Sequence, residues 1–172
     1  MPFDPFSLIA CIEKFSPQLG RSAAMLGLSW MSPFNRHLRA RLLDWTPEKA
    51  VIAVKRRRHI RNHVGSIHAG ALFTLGETCA GLVIIRNFPF GGFRPLMSDV
   101  RVTYSKQARG DVIGECSVHP DAIAKMREVI ASGEVPSIEM VTNILNTDHE
   151  IIAVVTTQWQ VKPWQLVKLK PA

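Results

Sequence analysis

Residues 69–86, AGALFTLGETCAGLVIIR, are apolar or small at almost every position. That run is too long for an ordinary strand. As a helix it lacks the polar face that would let one side meet water, so it has to be covered on nearly all sides by a sheet or by a second copy of the chain. Its start is expected near His68. Its end is expected near Arg86, because Asn87, Pro89 and Gly91-Gly92 break the pattern just beyond it. Glu77 sits in the middle of this run, where an unpaired charge is costly. At about 3.6 residues per turn, Gly70, Thr74, Glu77 and Gly81 share one stripe, with small side chains around a single acid.

The flanking segments say what the cover is. Residues 44–60 open on a Thr46-Pro47 turn and become β-rich, and 61–67 form a loop with Gly65. After the helix come PLMSDVRVTYSKQA and DVIGECSVH. A short helix, PDAIAKMREVIASG, comes next, with Pro120 and Asp121 at its start and Gly133 past its end. PSIEMVTNILNT and EIIAVVTTQWQVKP then read as a hairpin turning at Thr147-Asp148-His149. Hairpin-linked strands predict an antiparallel sheet and an α+β class. No GxGxxG or GxxxxGK fingerprint is present to cradle a nucleotide. Residues 1–43 read as a helical extension, interrupted at Ser32-Pro33, with Phe6, Ile9, Ala10 and Phe15 near one face and FNRHLRARLL as its last helical piece. Packing on the main domain is favoured over membrane contact for this extension, because its apolar faces are short. The divisions are 1–43 for the extension, 44–165 for the main domain with its helix at 120–132, and 166–172 for a tail.

No apolar run is read as long enough to cross a bilayer, and the first fifteen residues lack the pattern of a secretory signal. Cys11, Cys79 and Cys116 are scattered and without a CxxC pair, which points to a reducing cytoplasm and away from disulfides or a zinc site. The net charge of +7 favours an anionic partner. Nucleic acid is disfavoured, because no aromatic-interleaved motif or helix-turn-helix accompanies the charge. Trp30, Trp45, Trp159 and Trp164 are dispersed and read as packing residues.

The start of the central helix offers free backbone N–H groups and the positive end of its dipole, and Gly70 lets another atom come close to them. Amides so placed are the donors of an oxyanion hole. Glu77, two turns on, is positioned to act on the same carbonyl, through water or directly. The other fates for such an acid are an internal ion pair or the helix edge. Asn62, His68, Gly70 and Glu77 together tip the reading toward chemistry.

The pattern N-x5-H-A-G-x6-E, carried by Asn62, His68, Ala69, Gly70 and Glu77, resembles the hotdog-fold acyl-CoA thioesterases of the phenylacetate-degradation type. VTYSKQARGD at 102–111 is similar to that family's strand end, where a Thr-Tyr pair precedes a small residue and a Gly. The likeness spans roughly residues 44–162. It implies a five- or six-stranded sheet wrapped around the long helix, a homodimer that often pairs into tetramers, and active sites at the subunit interface. It also implies that Glu77 is the base or nucleophile, that the Gly70 amide and His68 polarise the thioester oxygen, and that Asn62 positions substrate or water. Ala69 replaces the family's first glycine. Met97 falls where a Ser or Thr often orients the water, with Ser98 beside it facing the other way.

Coenzyme A would enter as part of the substrate, with no separate cofactor and no metal. Arg58, Arg61, Lys106 and Arg109 are the candidates for its phosphates, and Thr74 and Ser98 for the rest of the substrate. Two other readings stay open. One is an acyl-CoA-binding or interaction protein without catalysis, which Met97 favours. The other is a hydratase or dehydratase, suggested by His63 fourteen residues before Glu77, although such proteins carry Pro-Gly at the helix start.

Overall fold

The computed structural model describes Ile9, Ile12, Glu13 and residues 15–167. Phe6, Ala10 and Cys11, and most of the 166–172 tail, lie outside the described residues. The elements run α1 (Pro17–Met31), β1 (Arg41–Trp45), β2 (Lys49–Val54), α2 (Ala69–Asn87), β3 (Phe93–Tyr104), β4 (Val112–Ser117), α3 (Pro120–Ala131), β5 (Ser137–Leu145) and β6 (Ile151–Pro163). Single 3₁₀ turns precede β1 and α2 and follow β6. The six strands form one antiparallel sheet in the order β1-β2-β4-β5-β6-β3, so β1 and β3 are its edges.

α2 lies against β2 through β6, and glycines set how closely it approaches. A Cβ on Gly76 would collide with the Val155 side chain, and one on Gly114 would stand 2.8 Å from Cys79 Sγ. The Thr142 hydroxyl donates to the Gly76 carbonyl at 3.0 Å, and Trp45 Nε1 donates to the Leu82 carbonyl at 3.0 Å, fixing the helix to β5 and β1. Leu75, Cys79, Ala80, Val83 and Ile84 are fully buried. The expected α+β sheet around a long helix is therefore what the chain forms, in the hotdog arrangement. By length and composition α2 is long and apolar enough to cross a membrane, contrary to the sequence reading, but it is the core helix of the sheet and most of it is buried.

One expected helix is not there. FNRHLRARLL becomes a 3₁₀ turn over Pro33–Leu38, a left-handed Arg39 (φ 45°), and strand β1. The cause is non-local: β1 pairs with β2, Arg41 opposite Ala53 and Trp45 opposite Ala50, burying Leu42 and Trp45. This strand runs across the division drawn at residues 43 and 44. α3 starts with His119, whose ring accepts the Asp121 N–H, and ends before Gly133 at φ 85°.

Candidate functional site

Glu77 is half-buried in the middle of α2, and its carboxylate makes no hydrogen bond or ion pair with any described residue. Desolvation by burial raises its pKa above 4.5. It is therefore neither locked in an internal ion pair nor fully solvated. Arg86, the nearest cation along the helix, is held by Glu13 at 2.6 Å and lies over the Trp45 ring.

The helix start is built differently from the sequence expectation. His68 is the N-cap, and its Nδ1 accepts the Gly70 N–H at 3.0 Å. The Gly70 amide is thus committed to the cap. The first amide of α2 without an acceptor among the described residues is that of Ala69. Accepting at Nδ1 puts the proton of a neutral His68 ring on Nε2, leaving that N–H as a second donor. Tyr104, at the end of β3, donates its hydroxyl to the Ala69 carbonyl at 3.1 Å, tying the strand end to the helix start. Sequence reasoning did not single out Tyr104 as a contact, although the Thr-Tyr pair was its signal.

Asn62 shapes the loop that delivers His68. Its Oδ1 accepts from the Val64 and Ser66 amides, and its own N–H donates to the Ser66 carbonyl around a left-handed Gly65. Only its side-chain NH₂ is left to meet a ligand. Thr74 donates its hydroxyl to the Gly70 carbonyl at 2.8 Å. Ser98 sits in a β-bulge between Met97 and Asp99, exposed, with its hydroxyl on the Gln158 carbonyl. Met97, half-buried opposite Trp159, faces the helix side of β3 with Val100, Val102 and Tyr104. Among these four side chains the phenol of Tyr104 carries the only hydroxyl.

A cavity of about 280 Å³ opens at the helix start, walled by Phe34, His37, Leu38, His59, His68 and Thr74 among others. Glu77 is not among its lining residues; the cleft reaches Thr74, one turn short of it. At Gly81 the stripe is closed by Trp159. The cavity shares His37 and His59 with a second cleft that includes Arg36 and Arg39. Arg39 in turn joins a third, of about 390 Å³, which includes Arg41, Lys55 and Arg57 beside Asp111. Arg36, Arg39 and Arg41 were missed because they lie in the 3₁₀ turn and strand that the sequence reads as helix. Of the cations the sequence singled out, Arg58 and Arg61 are exposed, Lys106 pairs with Glu150 at 2.9 Å, and Arg109 bonds Gln107. Arg56 holds the Gly65 carbonyl.

The model of the DUF4442 family, a domain of unknown function, matches residues 20–161. None of the curated proteins matches the sequence. Among solved structures, the chain is similar to a Pseudomonas aeruginosa protein of unknown function described as a probable thioesterase. The identity is 20% and the TM-score 0.75, over 83% of this chain and 95% of that one. A thioesterase from Staphylococcus aureus aligns at 19% identity and TM-score 0.64, covering 77% and 100%. The phenylacetic acid degradation protein PaaI from Thermus thermophilus aligns at 16% and 0.58, covering 75% and 98%. At these identities the likeness shows the fold.

Proposed function

The chain belongs to the DUF4442 family, and from that premise we propose that it hydrolyses acyl-CoA thioesters to a free acid and coenzyme A. The observation that carries the reading is Glu77: a half-buried carboxylate with no partner among the described residues, two turns from a helix start that holds an unengaged amide. Its raised pKa suits a base that takes a proton from water. In this reading the Ala69 amide and the His68 Nε2–H stabilise the oxyanion, and the Asn62 NH₂ positions the substrate or the water. The Gly70 amide serves the cap rather than the carbonyl.

The acyl end enters the apolar cleft beside Phe34 and Thr74, and the phosphates of coenzyme A follow the adjoining clefts to Arg39, Arg41, Lys55 and Arg57. The functional unit is a homodimer formed at the β3 edge, where a twelve-residue strand lacks a neighbour on one side and leaves Leu96, Val100 and Tyr104 exposed. Release of free thiol from a panel of acyl-CoAs, measured beside Glu77→Ala, tests the proposal. Wild type is expected to turn over, with the variant at least about a hundredfold slower; equal rates would remove Glu77 from the mechanism.

One observation favours a second reading, a binding protein without turnover. Met97 occupies the helix-facing position where a hydroxyl would orient water. Saturable binding of an acyl-CoA with no thiol released would decide for it.

A further inference from the structure

α1 is apolar on two sides. Its inward side is small and buried, with Gly20, Ala24 and Leu28 in the interior. Its outward side presents Leu19, Leu26 and Trp30, spaced i, i+7 and i+11 and so aligned in one ridge. Leu26 is 74% exposed and Trp30 76%, and Phe34 just beyond the helix is 70% exposed. The sequence reading had this segment spend its apolar residues on packing; the fold buries Ala24 and Leu28 and leaves Leu19, Leu26 and Trp30 outside.

The chain that follows the ridge is basic. Between Trp30 and Asp44 there is no acidic residue, while Arg36, Arg39 and Arg41 fall in that interval. The cleft next to Phe34 is walled by Pro33, Arg36, His37, Arg39 and His59, cations and imidazoles without a carboxylate. An aromatic-ended apolar ridge beside a basic basin is what a monolayer of anionic lipid complements: acyl chains for Leu26 and Phe34, the headgroup layer for Trp30, phosphate for the arginines. A second copy complements it poorly, because each copy carries a net charge of +7. α1 also packs on β1, at the opposite end of the sheet from the β3 edge.

We propose that the outward ridge of α1 seats this protein on an anionic lipid surface. Phe34 belongs both to this exposed surface and to the cleft at the start of α2, so docking brings the mouth of that cleft to the bilayer.

Flotation of the full chain with vesicles tests this, using phosphatidylcholine alone and with about a third phosphatidylglycerol. The wild type is expected to float with the anionic vesicles and to bind at least about tenfold more weakly to the neutral ones or in molar salt. The double variant Leu26→Glu/Trp30→Glu is expected to lose at least about tenfold in vesicle affinity, while its circular dichroism melt and its mass by sedimentation equilibrium stay those of wild type. These positions are exposed, so the fold tolerates the change. Failure of the wild type to float with anionic vesicles overturns the proposal, as does a double variant that floats equally well. A double variant that drops in mass assigns the ridge to contact between copies and overturns it too.

Discussion

Glu77 is under two opposed demands. Burial favours its protonated form, whereas a base must be ionised. With its pKa raised above 4.5 in the folded chain, the native state holds this proton to a higher pH than the unfolded state does. Between the two pKa values stability therefore falls as pH rises, and above both the protein carries the full cost of the desolvated charge. Glu77→Gln keeps the shape and removes that charge. Its melting temperature is expected to exceed that of wild type at pH 8 and to converge with it as pH falls below 4.5 and Glu77 takes up its proton; thermal melts across that range check the sign. Activity should run the other way: the acid limb of kcat/KM for wild type should lie above 4.5, and Glu77→Gln should lack turnover. His68 separates a structural from a chemical role by the same logic. His68→Ala loses the cap on the Gly70 amide and should cost about 1 kcal/mol by thermal denaturation. His68→Asn can still cap, so it should regain stability but not rate.

α2 was legible because a helix without a polar face has so few environments, and the β5–β6 hairpin was legible from alternating residues and turn signals. β1 was not. Arg41–Trp45 is five residues long and continues a helix-like run, and its strand character comes from the ladder with β2, a partner that local pattern does not reveal. The loss at the helix start is of another kind. Histidine is not a common capping residue, so the sequence left the Gly70 amide free, whereas the fold gives it to His68. The bulge at Ser98 likewise shifts register within β3, between Met97 and Asp99. Close packing of α2 yields a prediction at this scale. Gly76 has no room for a side chain against Val155, so Gly76→Ala should destabilise by about 1–3 kcal/mol in denaturant melts. Adding Val155→Ala should return part of that loss, because the second change vacates the space the new methyl needs.

At the scale of the whole molecule, the distance along α2 decides how many chains make one site. Seven residues separate Gly70 from Glu77, which is about 10 Å of helix rise. A single carbonyl touched by the helix-start donors of a chain meets the carboxylate of that same chain only through an intervening water. Two copies joined at their β3 edges could instead set the helix start of one against the acid of the other, and the cleft that stops at Thr74 leaves room for that second contribution. The alternatives part on mixing. In the proposed dimer, Glu77→Ala and His68→Ala subunits, each expected to be far slower than wild type as homodimers, would form heterodimers when co-expressed. If acid and donors come from different chains, half of the sites in each heterodimer are intact and the other half carry both lesions. With random pairing, half of the dimers are mixed, so the population should recover about a quarter of wild-type turnover. If each site is built from one chain, every site carries one lesion and mixing recovers nothing. Thiol release from the co-expressed, randomly paired mixture, with Leu96→Lys/Val100→Lys to show that activity follows the β3 edge contact, reads out which holds.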